Sequence, residues 1–253
     1  MTSSMLGSAQ NLRVLLADVR SVPQHGVATL QKRATLPFIT ISREPGIDAA
    51  ELGNAVVDAL NDADQDAYHR LGRPKPPQPW TGWDREGLQR VSRDAGLNRD
   101  AVASLEESKR SWLSDFFGGL SSQDNVGGTD QDVVFRHVAT AVMALAEMGR
   151  TVLVGCGAAL LTRQLAGGVH IRLIAPYEYR LNRLAEEMRA PAEVAARRLR
   201  ELDRNREAFF KRYWPREPLR PDHFTVTFNV AQVPTEVAVG TIIRLVERIG
   251  RSA

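Results

Sequence analysis

One cysteine in 253 residues, Cys156, leaves no partner for an intrachain disulfide and no cysteine-rich zinc site. No apolar run approaches the roughly 18 residues that a membrane-spanning helix needs. The opening MTSSMLGSAQNLRVLLADVR lacks a long apolar core behind a basic end, which argues against a secretory signal and makes a cytoplasmic protein the expectation. A large charge of one sign is missing too. With 33 basic and 30 acidic side chains the formal charge is only +3, so the total gives no reason to expect a nucleic-acid scaffold. The composition is otherwise ordinary, 43% hydrophobic and 25% charged, enough for one large α/β domain or two small ones.

Apolar spacing divides the chain. Leu12, Leu15, Leu16, Val19, Val22, Val27 and Leu30 recur at near-helical intervals, interrupted around Pro23 and Gly26, and predict a helical extension over residues 1–36. A core domain then runs from 37 to 250. FITIS, from Phe38, has the look of a buried strand, and AAELGNAVVDALNDA after it places Leu52, Val56 and Leu60 on one helical face. RLGRPKPPQPWTG, 70–82, is too rich in proline to continue a helix and reads as an irregular arm. Helices are expected over 83–97 and 99–117, then a flexible loop, then an amphipathic helix ending at Gly149. TVLVGC, VHIRLIAP and HFTVTFNV read as strands, separated and followed by helices. Strand and helix alternating in this way predict a three-layer α/β domain, a parallel sheet flanked by helices.

Three stretches could carry chemistry. The turn after FITISRE sits between a strand and a helix, where free backbone N–H groups and the helix dipole favour an anion. The Walker spacing G-x-x-x-x-G-K-[ST] does not fit there, because Asn54 and Ala55 follow Gly53 and no lysine is present. Asp48 also brings negative charge to the turn. Arginines crowd 180–183 and 197–212, as a phosphoryl-transfer site requires, yet the carboxylates interspersed among them equally describe a solvated helix laced with ion pairs. A nucleic-acid partner would need aromatic residues interleaved with the arginines for stacking, and only Phe209, Phe210, Tyr213 and Trp214 at the helix end qualify, which read more economically as packing residues. In WDRE, Asp84 and Arg85 could hold a small acceptor, or Asp84 could simply cap a helix. His137 and Cys156 read as structural, since no His-Asp partnership is visible beside the thiol.

The order of these pieces resembles the cytidylate kinase-like family, a branch of the P-loop nucleoside monophosphate kinases. ITISRE, WDREGL, VLVGCGAALL, IRLIAPYEYRLNRLAEE, ELDRNREAFFKRYW and FNVAQVPTEVAV carry the resemblance, from about Phe38 to about Glu247. It implies a P-loop kinase-like fold with a helical lid. It implies ATP and Mg²⁺ if the protein is active, and a nucleotide substrate. Arg43, Gly46, Ile47, Asp48, Ala49, Ala50 and Glu51 would then be the phosphate-binding loop. Asp84, Arg85 and Cys156 would face the acceptor. Arg180, Arg183, Arg204 and Arg206 would stabilise charge, with Asp203 on the lid. No metal ligand is assigned.

The departures run in one direction. Family members read close to S-R-E-x-G-S-G-G-R-E-I-A, whereas this chain has SREPGIDAAELG, with Cys156 where V-G-R-G has its arginine and FNVA for asparagine-threonine-serine. Two cations are lost and one carboxylate gained. Each lost transition-state donor costs on the order of 10²- to 10³-fold in rate. Two functions therefore stand side by side: phosphoryl transfer from ATP to a nucleoside monophosphate or similar small acceptor, or a catalytically inactive relative that binds a nucleotide or a protein partner.

Overall fold

The structure, a computed structural model, describes residues 36–76, 78–88, 130–155, 157–217 and 219–250. The expected N-terminal extension, the helix over 99–117, most of that over 83–97, most of the loop before the amphipathic helix, and Cys156 lie outside these residues.

Five strands form one parallel sheet: β1 (Phe38–Arg43), β2 (Thr81–Trp83), β3 (Thr151–Val154), β4 (Gly168–Ile174) and β5 (Val226–Asn229), in the order β2-β3-β1-β4-β5. The described helices are α1 (Ala49–Leu71), α2 (Asp130–Met148), α3 (Ala158–Thr162), α4 (Tyr177–Met188), α5 (Ala192–Tyr213) and α6 (Thr235–Gly250). This is the expected parallel α/β architecture.

Side-chain alternation along the strands sorts the core into two halves. Ile39, Ile41, Val152, Val154, Val169, Ile171 and Leu173 pack with Leu52, Val56 and Leu60 of α1 and Ala238, Ile242 and Val246 of α6. Phe38 and Leu153 point the other way, toward Val138, Val142 and Leu145 of α2 and Leu160 and Leu161 of α3. Tyr213 and Trp214, at the end of α5, close that second half. On the same face Thr40 and His170 stand opposite each other in the β1–β4 ladder and share a hydrogen bond of 2.8 Å. Burial pushes the His170 imidazole down to about 4.

Two expectations need correcting. The helix after β1 continues to Leu71, where Gly72 ends it in the left-handed conformation at φ 62° with its N–H on Ala67 O. The arm after it does not stay irregular to residue 82, because TGW is a short edge strand paired with β3. Tertiary bonds hold that arm. Asn61 exchanges two hydrogen bonds with the backbone of Trp80, and Gln78 Nε2 donates to Gly149 O at 3.0 Å. Arg150 pairs with Asp64, donates Nε to Gln78 O at 2.5 Å and lies 5.2 Å over the Trp80 ring.

Candidate functional site

Adjacent strands β1 and β3 send the chain in opposite directions along the sheet: from β1 it passes on to β2, beyond β3, and from β3 to β4, beyond β1. Open parallel sheets bind their ligands at the carboxyl ends of strands where the order reverses in this way. The segments leaving β1, β3 and β4 at that edge carry most of the residues that the sequence singled out.

The turn after β1 is closed by its own side chains. Gly46 has φ +81°, and a Cβ there would lie 2.7 Å from the carbonyl oxygen of Arg180, so α4 packs directly onto the turn. Ile47 is buried and joins the core with Ala49 and Leu52. Asp48 is the N-cap of α1: its carboxylate accepts from the N–H groups of Ala50, at 2.9 Å, and Glu51, at 3.4 Å. Those amides are the ones a helix N-terminus would offer to a phosphate. Glu51 adds a second carboxylate in the first turn.

Beside the turn lies a cluster of charges. Arg180, only 12% exposed, donates Nη1 to both carboxylate oxygens of Asp203, at 2.8 and 3.1 Å, and to Pro45 O at 3.2 Å. Its Nε lies 3.7 Å from Glu44, whose carboxylate also accepts from the N–H of Ala175 and stands 3.9 Å from Arg172. Arg206 reaches the cluster from α5, its guanidinium 4.9 Å over the Phe210 ring. Burial pushes that guanidinium below the usual arginine range, Arg172 and Arg43 add to the effect, and Glu44 and Asp203 oppose it. Arg43, ending β1, places Nη1 3.1 Å from where a Cβ on Gly155 would be.

Of the arginines the sequence put forward, the fold therefore brings Arg43, Arg180 and Arg206 together, with Asp203 as the counter-ion of Arg180. Arg183 is exposed, 3.8 Å from Glu186, and lines a different pocket. Arg204 is exposed. Asp84 uses Oδ1 to accept from the N–H of Gly87 at 2.7 Å, capping a helix that begins at residue 85, and Arg85 is exposed. Asp84 shares the carboxyl edge of the sheet with Arg43, but two strand positions away, about 10 Å at the usual strand spacing. Glu44 and Arg172 were given no role from sequence. Arg172 had a signal: it is a charged residue inside an apolar strand, two places from His170, and so must share that residue's face.

On the other side of the turn, Ile47, Asp48, Leu52, Tyr179, Val230 and Val233 help line an open pocket of about 150 Å³. Among the described residues no group of three or more His, Cys, Asp or Glu side chains is placed to hold a metal ion. Nor is any described helix long and apolar enough to cross a membrane.

A parallel α/β domain with a switch-point crevice and an arginine cluster at its mouth is the class that the geometry defines. Residues 82–232 match the model of the cytidylate kinase-like family, and the chain belongs to that family. Membership supports a kinase-like, nucleotide-binding role in general terms. No curated protein matches the chain. Among solved structures, an uncharacterized protein from Eubacterium ventriosum is similar, with a TM-score of 0.58 at 13% identity, over 84% of this chain and 98% of that one. At that identity the likeness concerns the fold alone.

Proposed function

We propose that this chain is a catalytically inactive member of its family, which binds a nucleotide in the kinase-like cleft without transferring a phosphoryl group. One observation carries the reading: the Asp48 carboxylate already occupies the Ala50 and Glu51 amides at the N-terminus of α1. A triphosphate placed there would have to displace a hydrogen-bonded carboxylate and then sit against its charge. Transfer would call on ATP and Mg²⁺, and the turn does not fit them. From Glu44 to Glu51 there is no lysine to neutralise a phosphate and no hydroxyl side chain to hold a cation. The pocket encloses about 150 Å³, too little for a whole nucleotide, and its walls suit a base better than a polyphosphate. Val230, Val233 and Tyr179 are among its walls, and Asp48 and Glu51, which also line it, can accept from an exocyclic amino group.

A second reading is active transfer from ATP to a nucleoside monophosphate. The observation that favours it is Arg180, which touches the backbone of the turn and lies in the cluster that holds Arg206. Thermal unfolding with cytidine, CMP and ATP, each with and without Mg²⁺, separates the two. A ligand at about a hundred times its Kd adds about 2.7 kcal/mol, a rise of several degrees for a chain of this size. Cytidine or CMP is expected to raise Tm, and ATP to show no Mg²⁺-dependent gain. No shift with any of the three at millimolar concentration overturns nucleotide binding. A large shift that needs ATP and Mg²⁺ together favours active transfer.

A further inference from the structure

The far end of α1 has no core beneath it. Leu52, Val56 and Leu60 continue as Ala63, Ala67 and Leu71 at spacings of three and four, so one apolar stripe runs the length of the helix. Only the first part of that stripe is covered. No residue of α1 after Leu60 is buried. Ala63 is exposed, Ala67 is half-buried, and Leu71 is 66% exposed with Tyr68 beside it at 47%. Single apolar side chains scattered on a surface need no explanation, but a core-facing stripe that outruns its core marks a contact surface.

The overhang, residues 61–71, is about 16 Å long and lies at the amino ends of the strands, where the N-terminal chain enters the sheet. Arg150 ties the two together: its side chain pairs with Asp64, and its N–H donates to Pro37 O at 2.6 Å. Leu36 sits so close to Gly149 that a Cβ there would lie 2.3 Å from the Cβ of Leu36. Residues 1–35 therefore join the core beside the uncovered stripe. The stretch from Val19 to Leu36 spans up to roughly 55 Å when extended, more than enough to fold back along the overhang. Its sequence also fits, because Leu12, Leu15, Leu16 and Val19 share one helical face. Charge selects the same partner. Residues 1–35 carry Arg13, Arg20, Lys32 and Arg33 against Asp18, whereas the overhang carries Asp62, Asp64 and Asp66 against Arg70. A second copy docked through the same overhang would set acid against acid.

We propose that residues 11–20 of this chain dock as a helix on the overhang of α1, laying Leu12, Leu15, Leu16 and Val19 against Ala67, Tyr68 and Leu71. The docked segment completes the core that the stripe outruns. Its surface lies about 30 Å along α1 from the Asp48 turn, so it stands apart from the nucleotide reading.

The test is limited trypsin digestion of the full chain, with cleavage after Arg13 and Arg20 followed by mass spectrometry and compared with a synthetic peptide of residues 9–24. Cleavage tracks the population of the undocked state, and the chain is expected to be cut at least about tenfold more slowly than the peptide. Leu71→Asp and Leu16→Asp should each restore the peptide's rate, and Val133→Asp, at an exposed position on α2, should not. Circular dichroism checks that each variant keeps the fold, and Tyr68→Ser provides a milder change should Leu71→Asp unfold. Cleavage of the wild type as fast as the peptide overturns the docking. Protection undiminished in Leu71→Asp, Tyr68→Ser and Leu16→Asp overturns the assignment to this face. Protection that grows with protein concentration, alongside a dimer in light scattering, assigns the contact to a second copy and contradicts docking within one chain.

Discussion

Trp214→Ala is expected to lower the unfolding free energy by about 3–5 kcal/mol, the range for truncating a large buried aromatic. Trp214 is 7% exposed and follows directly on α5, with its N–H bonded to Phe210 O at 2.8 Å. Its ring fills the space over Gly157, where a Cβ would come within 2.6 Å of Cη2, and lies edge-on to Phe135 of α2 at 5.9 Å. Tyr213 stacks on the same Phe135 at 3.9 Å and donates its hydroxyl to Asp132, which Arg212 also holds. The end of α5 is thus a wedge between α2 and the loop after β3. Arg206 lies on Phe210 in the same stretch, so losing the wedge also loosens the arginine cluster. Urea denaturation measures the effect. A loss below about 1 kcal/mol means that Trp214 does not anchor the helix.

His170 is expected to make stability depend on pH by about 3 kcal/mol between neutral pH and pH 4, from 1.36 kcal/mol per unit of displacement. Its pKa falls from 6.5 to about 4 in the folded chain because the ring is buried, 9% exposed, against Phe38 and Thr40. The unfolded chain therefore binds a proton between those values that the folded chain refuses. The contribution is complete above about pH 6.5 and is lost progressively as pH falls toward 4. Unfolding free energies of the wild type and His170→Gln at pH 7 and pH 4.5 isolate it. The wild type should lose more than the variant on acidification, and equal losses would contradict a buried neutral imidazole.

Much of the fold was legible in the residues, and where it was not the cause is local. FITIS, TVLV and VHIRLI are short runs dominated by apolar and β-branched residues, and each is a strand. TGW was missed because three residues with a central glycine, preceded by prolines, carry no strand signal of their own. Trp80 and Trp83 bury in opposite halves of the core, and Asn61 and Gln78 tie the arm down, all through contacts distant in sequence. The order of the strands was likewise a matter of tertiary packing.

The site was legible in part. Arg204 and Arg206 are two residues apart on one helix and so project about 200° apart, and only one can face the sheet. Sequence named both, and the fold takes Arg206. Asp48 was recognised as a charge in the wrong place for phosphate. That it would cap α1 with the very amides in question depends on backbone geometry which the letters do not contain.

This family member keeps the sheet, the crevice and a cationic cluster, while its own Asp48 carboxylate caps the helix at the turn where phosphoryl transfer would be staged. The most direct test is ADP release from ATP and Mg²⁺ in the presence of each common nucleoside monophosphate. No acceptor-dependent release above the protein-free control is expected. Acceptor-dependent turnover at the roughly 1–100 per second of working kinases, abolished by Arg206→Ala, would contradict it.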